Sequence, residues 1–471
     1  MKIFYEPEGA AFGDCMPMYW DGTYYLFHQR DPAFDAPLSV PLGWALETTP
    51  DFVTFEDCGE VLPGEGDDDP DRYIFAGSVY RDSDGTFVAN YTGFNDLRAG
   101  TELPSQVLMR ATSSDLETWH KEGAFELPPQ PGYDPDDWRD PFVFWDPDAE
   151  QWMLILGTRA AGPKIRRNGS TVWFSSPDAK SWAFKGDLYA PGLYTGHEMP
   201  DEFQMGTHWY LLTTEYSDKS KTVYTIGDSA RGPWTRPIDD AFDGRAYYAA
   251  RTASDGKRRF LFGWVANKQG NRDANPSWWG GTLVVHEIVP RTDATLGVRP
   301  PQELVDAVFA DSRSLPETAL KAKTGRAASL LADASSDAYA LSGSLDVAPG
   351  TRCVTLTFGG DPASDDWYGY RLDLEENRLI FDRFPNWRWN RYDSKGHERP
   401  LPADIGAGPI DIRLIVDGTV AVLYVNDIAL SARVNEPAGT SLGLEVEDGA
   451  VTLVRAQFAD VMQDLSPGKH A

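Results

Sequence analysis

Short runs of apolar and aromatic residues, separated by turn residues, follow one another along the first 300 positions of the chain. Clear examples lie at 86–91, 152–157 and 208–214. Runs of this length that are rich in β-branched and aromatic residues are typical of strands, and almost no helical periodicity separates them. The first part of the chain is therefore predicted to be built from strands.

A segment of about seven residues recurs within this region, and each copy carries an Asp that is followed by an aromatic residue. The copies lie at 49–55, 113–119 and 176–182, with a weaker one at 228–234. The aromatic residues that end successive copies are 64, 63 and 52 residues apart. A period of this length, with several strands in each repeat, predicts the blades of a β-propeller. Four copies and the strand set at 258–289 predict five blades.

The pattern changes near residue 302. Positions 304–322 hold the strongest helical pattern of the chain, and from 328 to 459 apolar and polar residues alternate between turns. Such alternation is typical of a β-sandwich. We therefore predict an all-β fold, with a five-bladed β-propeller at 1–302, a linker at 303–319 and a C-terminal β-sandwich at 320–471. The tail from 463 is predicted to be disordered.

The charge of the chain narrows its classes of partner. The formal net charge is −29, and such a surface repels phosphate backbones and anionic membranes, so a neutral or cationic small molecule is expected rather than nucleic acid. No apolar run approaches the roughly 18 residues of a membrane span, and the first residues lack the apolar core of a signal peptide. A soluble, cytoplasmic protein is expected. The three cysteines have no metal-site spacing, and no cofactor or metal is predicted.

Three acidic residues stand shortly before a proline, each at the start of a different predicted blade. They are Asp14, Asp140 and Glu198. Taken singly, each has a structural explanation: a turn residue, an ion pair with Arg139, or a solvated turn. Because the innermost strands of a propeller start near its axis, the three are expected to meet in one funnel. Their repulsion should raise at least one pKa, and a protonated carboxyl beside an ionised one is what glycoside hydrolysis requires.

The motifs around these residues, with their order and spacing, resemble glycoside hydrolase family 32, the invertase, inulinase and levanase group. The resemblance implies a five-bladed propeller joined to a C-terminal β-sandwich, and a retaining, exo-acting hydrolase of β-fructofuranosides that needs no cofactor or metal. It also implies roles for three residues: Asp14 as nucleophile, Glu198 as acid/base, and Asp140 as the group that holds sugar hydroxyls and stabilises the transition state.

Further stretches fit the same family, at 26–29, 75–78, 114–119, 262–264 and 278–283. By this resemblance the predicted substrate-binding residues are Gln29, Trp44, Phe75, Ser78, Arg139, His197 and Trp279. The chain departs from the family motif around the nucleophile: Gly13 replaces an Asn that would touch the sugar, and Cys15 and Met16 replace a Pro and an Asn. The carboxylates remain, so these departures concern the substrate rather than the chemistry.

Other functions remain open at this point. The same site could transfer fructosyl groups to a sugar acceptor or process difructose anhydrides. A related propeller class of arabinan-degrading enzymes inverts configuration, and its carboxyl groups are about 6.5–9.5 Å apart rather than the roughly 5–5.5 Å of a retaining pair. A non-catalytic sugar-binding propeller is also possible, although intact Asp14 and Glu198 argue against it. The sequence leaves the oligomeric state open.

Overall fold

Twenty antiparallel strands in the first 300 residues form five four-stranded blades in a computed structural model of the chain. The structure describes residues 3–32, 36–123, 127–163, 165–218, 220–387, 390–393 and 396–461. The predicted disordered tail from 463 lies outside this range. The prediction of an all-β fold with an N-terminal five-bladed propeller is confirmed.

Each blade is formed by four strands that are consecutive in the chain. Blade one consists of β1 Ala11–Trp20, β2 Thr23–Asp31, β3 Trp44–Thr49 and β4 Glu56–Leu62. Blade two consists of β5 Tyr73–Arg81, β6 Phe87–Phe94, β7 Gln106–Ser113 and β8 His120–Lys121. Blade three consists of β9 Tyr133–Asp146, β10 Gln151–Ala160, β11 Gly169–Ser176 and β12 Ala183–Tyr189. Blade four consists of β13 Glu198–Met205, β14 His208–Glu215, β15 Lys221–Gly227 and β16 Trp234–Thr235. Blade five consists of β17 Tyr247–Ser254, β18 Arg259–Lys268, β19 Ser277–Pro290 and β20 Leu296–Arg299.

The first strands of the blades surround a common axis. Strand β1 contacts β5, β5 contacts β9, β9 contacts β13, β13 contacts β17, and β17 contacts β1 again. Blades one and five are also joined directly, because Phe12 pairs with Gly281 and Tyr5 forms a bridge to Leu283. The ring of inner strands is therefore closed by segments from both ends of the propeller.

The repeated segment is the turn between the third and fourth strands of a blade. The Asp carboxylate accepts hydrogen bonds from the backbone N–H groups two and three residues later, at Asp51, Asp115 and Asp178. The residue after each Asp has a positive φ and is buried; these residues are Phe52, Leu116 and Ala179. These bonds lower the pKa of Asp115 and Asp178 to about 2. The repeat is thus an Asx turn.

Every inner strand contains a β-bulge, which lies near the beginning of β1, β5, β13 and β17 and in the middle of β9. The pairing register shifts by one residue after Phe12 in β1, Phe75 in β5, Arg139 in β9, Glu198 in β13 and Tyr248 in β17. A bulge leaves an extra residue outside the ladder and re-aims the neighbouring side chains. The five bulges therefore determine which side chains point toward the end of the axis.

Beyond the propeller, the chain forms one eleven-stranded antiparallel system. Its strands are β21 Arg313–Ser314, β22 Thr318–Asp333, β23 Ala338–Val347, β24 Cys353–Asp361, β25 Asp366–Asp373, β26 Arg378–Phe384, β27 Glu398–Pro400, β28 Ile410–Asp417, β29 Val420–Val425, β30 Ile428–Arg433 and β31 Ser441–Asp460. The long strand β31 pairs with β21, β22, β23 and β24, so it links the two faces of a sandwich. Their inward side chains form one apolar core that includes Leu341, Phe358, Tyr370 and Leu414. The predicted β-sandwich is confirmed.

The helical pattern predicted at 304–322 forms much less helix than expected. Helix α1 covers Gln302–Val308, and strand β22 begins at Thr318. Pro316 disfavours helical backbone at the residue before it, and β22 gains a full hydrogen-bonded edge by pairing with β31. Three short 3-10 helices lie at Asp96–Arg98, Gln269–Asn271 and Ile405–Ala407. The domain limits near 302 and 320 stay a prediction.

The second domain supports blade five through buried contacts. The guanidinium of Arg433, which is 3% exposed, donates to the carbonyl oxygens of Val265 and Ala266 and to Oγ1 of Thr282. His286 of β19 lies between the carboxylate of Asp243 and the hydroxyl of Tyr424. Residues of the second domain thus hold strands β18 and β19 of blade five in place.

Candidate active site

One cavity of about 390 Å³ is lined by residues from all five blades. Seven of the ten predicted site residues line it: Asp14, Gln29, Phe75, Arg139, Asp140, Glu198 and Trp279. The other lining residues are Leu38, Phe94, Ala99, Ser105, Gln106, Asp136 and Asp137. Three carboxylates from the first, third and fourth blades are therefore brought together although they are far apart in the sequence.

Asp14 lies in the bulge of β1, where the strand departs from its ladder with β2. Its Oδ1 accepts a hydrogen bond of 3.1 Å from Nε1 of Trp264 in blade five. Burial, together with the charges of Asp140 and Glu198, raises the pKa of Asp14 to about 8, although the hydrogen bond from Trp264 opposes the shift. The indole therefore holds the carboxylate in position and favours its charged form.

Three hydrogen bonds hold Asp140, two through its backbone and one through its carboxylate. It has a φ of 62°, its N–H donates to Oγ1 of Thr92 at 2.8 Å, and its Oδ2 accepts from the N–H of Met199 at 2.9 Å. Its carbonyl oxygen accepts from Nη2 of Arg251 at 2.7 Å. Burial raises the pKa of the Asp140 carboxyl, and the two arginines Arg139 and Arg251 counteract that effect.

Arg139 connects the carboxylates of the cavity. Its Nη2 donates to Oε1 of Glu198 at 2.8 Å, and its Nη1 donates to Oδ1 of Asp137 at 2.5 Å. Its Nε lies 4.0 Å from Oδ2 of Asp140. The side chain is 13% exposed, so these charge-assisted contacts are only weakly screened by solvent.

Glu198 is the first residue of β13 and directly precedes the bulge of that strand. Its Oε2 accepts a hydrogen bond of 2.5 Å from the hydroxyl of Tyr248, and its Oε1 accepts from Arg139. Burial and the charge of Glu198 raise the pKa of Tyr248 well above its usual range, so this phenol remains a donor. Both carboxylate oxygens are thus oriented while 22% of the side chain stays exposed to the cavity.

The remaining three predicted binding residues, Trp44, Ser78 and His197, are buried outside the cavity lining. Nε1 of Trp44 donates to the carbonyl oxygen of Phe75 at 3.1 Å, and Oγ of Ser78 accepts from the N–H of Val143 at 3.0 Å. Nδ1 of His197 lies 3.0 Å from Oγ1 of Thr171, and burial lowers the pKa of His197 to about 4. In this structure the three side chains support the cavity wall from behind.

Sequence reasoning missed three residues that hold the carboxylates: Tyr248, Trp264 and Arg251. Tyr248 occupies the same pre-bulge position as Arg139 and Glu198, but no proline follows it in 249–250, so a search for an acidic residue before a proline could not find it. Trp264 pairs directly with Tyr248 and lies in the stretch 262–264, which resembles the family in sequence. Arg251 had no sequence signal.

The residues that the structure describes contain no group of three or more His, Cys, Asp or Glu side chains arranged to hold a metal ion. Within the same residues, no helix is both long enough and apolar enough to cross a membrane.

The fold and the cavity together define a propeller–sandwich protein with a carboxylate-lined axial site. The family described as "Glycosyl hydrolases family 32 N-terminal domain" matches residues 15–300. The chain belongs to glycoside hydrolase family 32.

Individual proteins are similar over most of the chain. A levanase of Bacillus subtilis is 25% identical over 467 residues, which cover 90% of this chain and 64% of the levanase. A levanase of Bacillus sp. strain L7 is 26% identical over 498 residues, 97% of this chain and 51% of its own length. The chain thus spans about half to two thirds of these curated relatives. The crystal structure of exo-inulinase from Aspergillus awamori superposes with a TM-score of 0.78 at 18% identity and covers 98% of both chains, which supports the fold.

Proposed function

We propose that this chain is a retaining, exo-acting glycoside hydrolase that cleaves β-fructofuranosides. The observation that carries the proposal is the shared cavity of Asp14, Asp140 and Glu198, with Trp264 bonded to Asp14 and Arg139 and Tyr248 bonded to Glu198. Each of the two carboxylates that react in this proposal therefore has its own positioning donor. Family membership and the similarity to two levanases agree with this assignment.

In the proposed mechanism Asp14 attacks the anomeric carbon while Glu198 gives its proton to the departing glycosidic oxygen. The bond from the anomeric carbon to that oxygen breaks, and a glycosyl ester with Asp14 forms. Glu198, now a carboxylate, takes a proton from water, whose oxygen attacks the anomeric carbon and releases Asp14. Asp140 and Arg139 orient the furanose, and the Asp140 carboxylate stabilises positive charge on the ring.

The charges in the cavity couple the proton states of the two reacting groups. The charge of Glu198 is one cause of the raised pKa of Asp14. A proton on Glu198 removes that repulsion, so the proton donor that the first step requires also favours the ionised nucleophile. Protonation of Glu198 and ionisation of Asp14 therefore favour each other.

The lining of the cavity favours a neutral sugar. Five carboxylates line it, from Asp14, Asp136, Asp137, Asp140 and Glu198, and Arg139 is the one basic residue among the described lining residues. A phosphorylated sugar would meet a site of the same charge. A volume of about 390 Å³ with one set of reacting groups suits a terminal sugar residue rather than the interior of a long chain.

The decisive experiment follows the products by NMR from the first minutes of reaction. Sucrose, inulin, levan, difructose anhydrides and arabinofuranosides are supplied separately, and the released sugar and its first-formed anomer are identified. Release of β-fructofuranose from one of the fructosides supports the proposal. An inverted anomer or preference for arabinosides would assign the arabinan-degrading class, fructosyl oligosaccharides at high sucrose would indicate transfer, and binding without turnover would identify a sugar-binding propeller.

A further inference from the structure

Gly13, immediately before Asp14, has a side-chain position that is already occupied. A Cβ atom built on Gly13 would lie 2.3 Å from Cη2 and 2.8 Å from Cζ2 of Trp279, and 2.8 Å from the carbonyl oxygen of Gln29. Gly13 does not have a positive φ, so backbone conformation does not explain the glycine. The close approach of the Trp279 indole does, because carbon atoms at these distances overlap.

Trp279 separates two cavities. It lines the cavity of Asp14 and Glu198, and it also lines a second cavity of about 240 Å³ that is formed largely by aromatic residues, among them Tyr216, Trp264 and Trp278. The rings of Trp264 and Trp279 meet edge to face with centroids 6.0 Å apart. Since Trp264 holds Asp14, the indole over Gly13 forms the wall directly beside the candidate nucleophile.

We propose that Gly13 and Trp279 form a specificity-determining pair. The absence of a side chain at 13 admits the indole beside Asp14, and the donor sugar meets an apolar ring at this wall instead of a hydrogen-bonding side chain. The inference deepens the proposed function and rests on it for the identity of the sugar. The benzo edge of the indole, which carries Cη2 and Cζ2, has no polar atom with which to select a hydroxyl group.

The pairing has a consequence for substrate range. A site that hydrogen-bonds a substrate hydroxyl rejects the analogue without it by about 10⁴–10⁵, whereas an apolar contact discriminates by only about 10–200-fold. A furanoside that lacks the hydroxyl facing Trp279 should therefore remain a substrate. Among 1-, 3-, 4- and 6-deoxy analogues of an aryl β-fructofuranoside, at least one should keep kcat/KM within about tenfold of the parent.

A double-mutant cycle tests the pairing itself with Gly13→Ala, Trp279→Ala and the double variant. Gly13→Ala alone should lower kcat/KM about tenfold and the melting temperature by a few degrees, because the added methyl group displaces the indole. In the Trp279→Ala background, the same change should cost less than about twofold in kcat/KM, with only the contact to the Gln29 carbonyl remaining. Gly408→Ala is the matched control, since a Cβ there meets nothing within 4 Å.

The outcomes separate the two proposals. If Gly13→Ala lowered kcat/KM equally with and without the indole, the pairing would be overturned and the glycine would be explained by the Gln29 carbonyl. If all four deoxy analogues lost more than about 10³-fold in kcat/KM, apolar recognition at this wall would be overturned. The melting-temperature cycle needs no turnover. If the wild-type protein cleaves no fructofuranoside, the proposed function fails while this cycle still decides whether Trp279 is seated by Gly13.

Discussion

The hydroxyl of Tyr248 donates a 2.5 Å hydrogen bond to Glu198, and the two residues occupy the same position in neighbouring blades. Each directly precedes a bulge residue with a positive φ, Ala249 with 53° and Met199 with 48°. Arg139 has the same relationship to Asp140, whose φ is 62°, and it binds the other oxygen of Glu198. Three equivalent positions of three blades thus supply a carboxylate and its two donors.

Tyr248→Phe should lower kcat while leaving the fold intact, because it removes one positioning bond and keeps the ring. We expect a loss of about 10- to 100-fold with an oligosaccharide and a smaller loss with an activated aryl fructoside. Steady-state kinetics on both substrates provide the measurement. Tyr19→Phe, in blade one and outside the cavity lining, is the control, and equal behaviour of the two variants would show that the bond to Glu198 has no role.

Asp14→Asn should abolish turnover on every substrate, since it removes the attacking charge and keeps the volume. Glu198→Gln should affect substrates unequally, because a good leaving group needs little protonation whereas a natural sugar needs a proton. The paired assay uses an activated aryl furanoside and an oligosaccharide. Appreciable activity of Asp14→Asn would contradict its assignment as nucleophile.

Azide offers an independent check on the role of Glu198. As a small anion that needs no general base, it should intercept the glycosyl ester in Glu198→Gln and restore part of the turnover of the aryl furanoside. The glycosyl azide product, identified by NMR, should keep the configuration of the substrate. Azide rescue of Asp14→Asn with retained configuration, or no difference between substrates for Glu198→Gln, would show that the two roles are assigned wrongly.

Asp14→Asn should also stabilise the protein above acidic pH. The folded pKa of Asp14, about 8, lies above its unfolded value of 3.8, so the stability that its proton provides is present below pH 4 and is lost as the pH rises through 8. Asparagine does not carry this penalty. We expect a gain of about 2 kcal/mol at pH 8 and almost none at pH 4, measured by urea unfolding.

Asp115→Asn is the control of opposite sign. Backbone N–H donors lower the pKa of Asp115 to about 2. The stability that its ionised carboxylate contributes is therefore present above the unfolded pKa and is lost as the pH falls. Replacement by asparagine should therefore never stabilise the protein at pH 8. If the free energy of unfolding of Asp14→Asn changed with pH in the same way as that of the wild type, this result would contradict the raised pKa of Asp14.

Arg251→Met should destabilise the propeller strongly. The Arg251 guanidinium is 1% exposed and donates to the carbonyl oxygens of Gly77, Asp140 and Pro141, so it joins blades two and three to blade five. Its loss leaves buried acceptors unpaired, at a cost of about 3–5 kcal/mol. Lys180→Met breaks an exposed ion pair with Asp84 and should change the free energy of unfolding by less than about 1 kcal/mol. Similar unfolding curves for both variants would rule out the bridging role.

The sequence predicted the blades because three of them carry the same local turn signal. Asp51, Asp115 and Asp178 have the same turn chemistry in the folded chain, and local hydrogen bonds repeat wherever the local sequence does. Tyr248 and Arg251 have no such signal, because their contacts join residues that are 50 and 111 positions apart. The prediction of helix at 304–322 was wrong for a related reason, because the long-range pairing of β22 with β31 overrides the local helical preference.

The five bulges also bear on how such a protein can change over generations. The residue before each bulge pairs through its backbone, so exchanging its side chain leaves the register of every strand as it was. A lineage can therefore alter the group that one blade presents, a tyrosine where another has a glutamate, while it inherits the other four unchanged. A new set of side chains in the axial cavity can then arise by single substitutions, without a change in the fold.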